Sequence, residues 1–100
     1  MLKFNATNIK GDNPMWAKLF IIGGDGESTI LKVSLESSPV GMEFRNGRRP
    51  TLAFHRPYDG PELSGITIND GVLSIEFSRP LASGEWVHIP IEFYYESEAV

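Results

Sequence analysis

Glu27-Ser28-Thr29-Ile30-Leu31-Lys32-Val33-Ser34-Leu35-Glu36-Ser37-Ser38 is the longest run of this chain that contains neither glycine nor proline. A mean α-helix needs about 11–12 residues, so no other stretch offers a helix more room. The run does not use that room. Thr29, Leu31, Val33 and Leu35 alternate with Ile30, Lys32, Ser34 and Glu36, a period of two carried by β-branched residues, which predicts a strand. Elsewhere 10 glycines and 7 prolines punctuate the chain, and the next longest uninterrupted stretches are the tails, residues 1–10 and 91–100.

Working outward, the same period recurs. Leu2, Phe4 and Ala6 alternate with Lys3, Asn5 and Thr7. Met15 to Ile22 is apolar on both faces except at Lys18, the pattern of a strand placed centrally between two layers. Val40, Met42 and Phe44 lead into Asn46-Gly47, and Leu52 and Phe54 follow it. Asn-Gly favours the type I′ turn because that turn needs positive φ at both central positions. Ile66 and Ile68 are joined in the same way to Leu73, Ile75 and Phe77 through Asp70-Gly71. The last strand runs through Val87, Ile89, Ile91, Phe93 and Tyr95, with Pro90 on its other face. Proline cannot donate to a ladder, which predicts an edge strand or a bulge. The tail from Glu96 to Val100 is expected to fray.

Seven or eight short strands with turns every eight to twelve residues describe one all-β domain over 1–100: a small antiparallel sandwich or barrel without a substantial helix. Its 100 residues suit one domain, and 41% apolar residues with 11% aromatics suffice for a core. By surface scaling, close to two-thirds of the unfolded chain's area is buried.

Composition also narrows function. A net charge of −4 argues against general affinity for nucleic acid or an anionic membrane. With zero cysteines there are no disulfides, thiolate metal sites or cysteine nucleophile. Neither a membrane-length apolar run nor the apolar segment of a signal peptide is present, so a soluble, cytoplasmic protein is expected.

Catalysis by a nucleophile needs a base and an orienting group. His55 and His88 are the only histidines, and Ser64-Gly65 and Ser83-Gly84 read as turn serines. Asp25/Glu27 and Asp59/Glu62 are carboxylate pairs among turn-formers, where solvated acids are the rule. Asp25-Gly26-Glu27 lacks the alternating oxygen ligands of a calcium loop, two separated histidines do not make a zinc site, and Gly23-Gly24-Asp25-Gly26 lacks the Lys-Ser/Thr of a phosphate loop. These residues predict no enzyme, metal or cofactor.

Two features remain. Residues 45–56 hold Arg45, Arg48, Arg49 and Arg56 with His55 and no acid, while the rest of the chain carries 5 basic and 13 acidic groups. Arginine's planar fork suits carboxylate or phosphate, so this window is either an anion-binding tip or a set of internal ion pairs. The second feature is the outward face of the last strand: Trp86, His88, Glu92 and Tyr94, opposite its apolar residues. Aromatics two apart project about 6.6–6.8 Å from one another, a spacing for a sugar or a protein partner unless the face is covered. An edge strand would also offer a route to self-association.

Arg45-Asn46-Gly47-Arg48-Arg49, followed by Glu62 to Ile68, Gly71 to Ile75, Pro80-Leu81 and Gly84 to Val87, resembles the PilZ domain over residues 45–93. Where that family carries D/N-x-S-x-x-G, this chain has Asn69-Asp70-Gly71. The resemblance implies a small antiparallel barrel that binds cyclic di-GMP, with Arg45 and Arg49 on ligand phosphates and Asn69 as the remnant of the second motif. The leading expectation is a non-enzymatic protein that recognises a partner with an acidic surface through the arginine hairpin and the Trp86–Tyr94 face. Bacterial and phage inhibitors and immunity factors offer fold-level analogues. The alternatives are a PilZ-like cyclic dinucleotide module and a carbohydrate-binding module.

Overall fold

Alternation of apolar and polar residues becomes structure only when the apolar sets of two sheets meet, because a strand pleat sends successive side chains to opposite faces. A computed structural model describes residues 1–12, 15–37, 39–41, 50–55 and 58–95. It contains seven strands: β1 (Lys3–Asp12), β2 (Met15–Gly23), β3 (Ile30–Ser34), β4 (Pro50–Phe54), β5 (Leu63–Asn69), β6 (Val72–Phe77) and β7 (Trp86–Tyr95). They form two antiparallel sheets, one ordered β1-β2-β7-β4 and the other β3-β6-β5. No helix occurs among the described residues, and so none long and apolar enough to cross a membrane.

Registers bring the apolar sets together. Phe4 pairs with Ile22 and Ala6 with Phe20; Ile22 pairs with Val87 and Phe20 with Ile89; Leu52 pairs with Phe93. The opposing sheet matches Leu31 with Ile75 and Val33 with Leu73, then Ile66 with Ile75 and Ile68 with Leu73. Phe20, Ile22, Leu73, Ile75 and Ile89 are fully buried, and Ile91, Phe93 and Phe77 nearly so. Phe20 bridges Phe4 and Phe93, with ring centroids at 6.5 and 6.4 Å, within the range of favourable aromatic pairs. Truncating Phe20 or Phe93 to alanine would cost about 3–5 kcal/mol, which exceeds what any surface contact supplies.

The Asp70-Gly71 turn is as expected: Asn69 pairs with Val72, and Asp70 and Gly71 take φ of 51° and 74°. Two expectations change. The last strand is not an edge strand, because β7 lies between β2 and β4. Pro90 instead marks the end of the β4 ladder. Its carbonyl accepts from the His55 backbone N–H at 3.1 Å, it has no N–H to return, and β4 ends at the neighbouring Phe54–Ile91 pair. Nor does β2 lie between two layers: it is interior to its sheet, but only the face of Phe20 and Ile22 packs into the core, and Leu19 and Ile21 are half-buried on the outer face; Lys18, its polar exception, shares the inward face at 9% exposure and donates from Nζ to the Val40 carbonyl at 3.2 Å. The Asn46-Gly47 hairpin with Met42 and Phe44, and the tail 96–100, lie outside the described residues.

Two loops close the end of the sandwich where β2 stops and β7 starts. Gly24 N–H donates to the Glu85 carbonyl and Gly26 N–H to the Leu81 carbonyl, both at 2.8 Å, while Leu81 is fully buried beneath them. A Cβ on Gly24 would collide with the Ala82 carbonyl and with Leu81; backbone on one side and core on the other leave nothing to yield. Gly24→Ala is therefore expected to lower unfolding stability by about 1–3 kcal/mol. Gly65→Ala, where a Cβ meets nothing within 4 Å, should leave the urea midpoint nearly unchanged. Equal midpoints for the two variants would show that the loop contact does not constrain the fold.

Candidate functional site

The pleat of β7 decides which side chains are available for work. Val87, Ile89, Ile91 and Phe93 are buried in the core, so Trp86, His88, Pro90 and Glu92 stand on the outer face of the four-stranded sheet. Trp86 is 54% exposed, the largest exposed aromatic among the described residues. It pairs across the ladder with Gly23, and its ring lies over that glycine: a Cβ there would sit 2.8 Å from Cη2 and 2.9 Å from Cζ3. Glycine thus lets the indole lie down on the sheet and present its other side outward. Beside it His88 pairs with Ile21 and Pro90 with Leu19, so an apolar band runs across the strands.

At its β4 side the band ends in a histidine–carboxylate contact. His55 Nε2 lies 3.5 Å from Glu92 Oε2, with the histidine 50% and the glutamate 15% exposed. Both histidines of the chain therefore belong to this one face. Among the described residues no group of three or more potential metal ligands occurs.

The face drops into a hollow of about 370 Å³ bounded by Leu19, Tyr58, Asp59, Trp86, His88 and Pro90, at the lower end of the range for ligand sites. Tyr58 stacks edge-on against Phe54 at 5.2 Å and packs against Gly60, which has no side chain to hold it off. Its hydroxyl is buried and has no hydrogen-bond partner. Burial pushes the phenol up to about 12, with the Glu85 carboxylate adding a little and Arg79 opposing. Such an orphan is uncommon, since most buried polar atoms are satisfied.

The loop that delivers Trp86 is clamped. Arg79 grips Glu85 with both fork nitrogens, at 3.0 and 2.9 Å, and Glu85 also accepts from the Ala82 N–H at 2.9 Å. These contacts hold the Glu85 carboxyl down at about 2, the Arg79 hydrogen bonds contributing most. In the neighbouring loop Asp25 accepts from the Met1 ammonium, the Ser28 hydroxyl and the Ser28 and Glu27 N–H groups, and its carboxyl lies well below the usual range, chiefly through the ammonium.

Of the residues expected at the site, the structure gathers Trp86 and His88, and places Tyr94 in the same strand opposite Met15 and Thr51. Arg45, Arg48, Arg49 and Arg56 lie outside the described residues; in the chain, Arg49 directly precedes β4 and Arg56 follows His55. Tyr58 is not singled out by the sequence, because Tyr58-Asp59-Gly60-Pro61 reads as a turn with an aromatic in first position as its one distinguishing sign; Asp59 reads there as a solvated carboxylate and Leu19 as part of the apolar β2 run. No family model, curated protein or solved structure matches this chain.

The clamp sets a pH dependence. Because the folded-state value of Glu85 lies below its ordinary 4.5, its stabilisation is complete above the unfolded carboxylate's range and disappears as pH falls through that interval toward 2. Glu85→Gln should therefore unfold at lower urea than the native chain at neutral pH, and the gap should narrow on acidification to about pH 3. The pair is partly exposed, so the gap should be modest and shrink in salt. A gap that is the same at both pH values would remove the clamp from the account.

Proposed function

We propose that this protein acts by binding rather than by catalysis, and that it grips a macromolecular partner with the outer face of its four-stranded sheet. The observation that carries this is Trp86: a large aromatic laid flat over Gly23, exposed, in a strand whose other face is fully committed to the core. Trp and Tyr are the residues that most often dominate binding energy, at the centre of patches depleted in charge. Leu19, Ile21 and Pro90 supply such a surround, with Lys3 in register beyond Gly23 and Asp59 at the border, while Glu92 farther along β7 faces His55.

The opposite sheet supports the assignment by contrast. Its outer face carries Lys32, Ser34, Ser74, Glu76, Thr67 and Asn69, with Val72 half-buried among them and Ile30 as its exposed large apolar residue; this is a mainly polar face. The arginines at 45, 48, 49 and 56 are assigned the second role, steering an acidic partner surface toward a sheet whose outer strand they bracket in sequence. A cytoplasmic factor of the inhibitor or immunity type, bacterial or phage, fits this description by fold-level analogy.

The test is capture of partners from host extract on immobilised protein, followed by titration of what is captured. Trp86→Ala is expected to weaken capture by about tenfold or more while leaving the thermal midpoint nearly unchanged. Gly23→Ala, which forces the indole off the sheet, should weaken it in the same direction. Replacing Arg45, Arg48 and Arg49 by glutamate should slow association and steepen nothing else, whereas Lys32→Ala on the far sheet should have no effect. Capture indifferent to Trp86, or turnover of any small molecule by the purified protein, would refute the proposal.

A further inference from the structure

A sheet that does not close ends in strands with a row of unpaired backbone N–H and C=O groups, and such a row pairs with any strand that reaches it unless the edge is blunted. The edge role that Pro90 predicts for β7 falls, among the described strands, to β1 and β4 in one sheet and to β3 and β5 in the other. Three of these are blunted. β4 begins at Pro50, is five residues long and approaches β5. β5 is bulged between Leu63 and Gly65. β3 carries Lys32 at the middle of its five residues, so two copies paired there would set lysine directly against lysine.

β1 is different. From Lys3 to Asn8 it pairs with β2 in unbroken register, and the first irregularity comes between Asn8 and Lys10. The chain holds neither glycine nor proline from residue 1 to residue 10. Lys3, Asn5 and Thr7 are exposed on the outer face, while Phe4 and Ala6 pack against the core yet stay only half-buried. Among the described residues, no backbone hydrogen bond reaches β1 from any strand but β2. Both the ladder and the apolar layer therefore stop short at this edge.

We propose that β1 pairs antiparallel with β1 of a second copy of this chain, about a two-fold axis that passes through Asn5 perpendicular to the sheet. Asn5 is the midpoint of the run between the buried Leu2 and the bulge. In that register Asn5 meets the partner's Asn5, Phe4 meets the partner's Ala6, and Lys3 meets the partner's Thr7. A large side chain faces a small one on the inner side, which carries the apolar layer across the junction, and the two lysines are kept apart. A slip of one residue would turn the second copy over and set polar side chains against Phe4 and Ala6. The two four-stranded sheets then run on as one, with both Trp86 faces on the same side, so a target with repeated sites is held at two points. The pairing goes beyond the binding role of that face and does not depend on it. The junction is small, so association is weak and shows itself at high protein concentration.

Sedimentation velocity of the purified chain, from micromolar to millimolar concentration, is the test. A monomer–dimer equilibrium is expected. Asn5→Lys and Asn5→Asp each place like charges directly opposite one another and should weaken association by about tenfold or more, with the circular dichroism of each monomer unchanged. An equimolar mixture of the two variants sets lysine against aspartate and should restore the dimer. Ser34→Lys, on the edge of β3, should change nothing. A native chain that stays monomeric at millimolar concentration, a dimer indifferent to both Asn5 variants, a mixture that stays monomeric, or a dimer broken by Ser34→Lys would each overturn the pairing. None of these results touches the Trp86 face, whose own test is capture.

Discussion

The pleat of β7 is the constraint on which the rest depends. Its odd-numbered residues from Val87 to Phe93 fill the centre of the core at 5% exposure or less, and it is hydrogen-bonded to strands on both sides. A slip of one residue would turn Val87, Ile89, Ile91 and Phe93 to solvent and bring Trp86, His88 and Glu92 inside, burying an imidazole and a carboxylate. Burial of a charge without a partner costs several kcal/mol per ion, of the order of the whole stability of a small domain. The exposure of Trp86 is thus a consequence of what holds the protein together, and the indole cannot retreat into the core without unfolding it.

Local features then refine what that constraint presents. Gly23 removes the one side chain that would prop the indole up. Leu81, buried below two interlocked loops, fixes where β7 begins, and the Arg79–Glu85 fork holds the intervening turn. The contact is partly exposed and sits one residue before Trp86, at the start of β7. Phe54 ties Tyr58 to the same site from the far end of β4, so elements distant in sequence converge on one hollow.

Much of this was legible from residue order because it depends on neighbours in the chain. The alternation through Thr29–Leu35, the Asp70-Gly71 turn and the outward set beginning at Trp86 are all short-range patterns, and the structure realises each. Strand adjacency is not short-range. Pro90 was a sound sign of a broken ladder, but a ladder is broken equally at an edge and at the point where a short neighbour such as β4 ends, and only the β4 register distinguishes them. Lys18 points inward because the pleat sets it on the face of Phe20 and Ile22, and the backbone carbonyl of Val40 that accepts its ammonium is a partner no side-chain pattern announces. Tyr58 reads as part of a turn and Asp59 as a solvated carboxylate for the same reason: turn chemistry explains both completely until β7 is seen beside them.

The two faces of the sandwich are unlike, one polar and hydroxyl-rich, the other banded with tryptophan, proline and leucine. Hydroxyl-radical footprinting of the free protein and of its captured complex measures directly which face is covered. The account predicts protection concentrated at Leu19, Ile21, Trp86, His88 and Pro90, with Lys32, Thr67 and Ser74 reacting as before. Protection on the Lys32–Ser74 face, or an unchanged rate at Trp86 in a saturated complex, would contradict it.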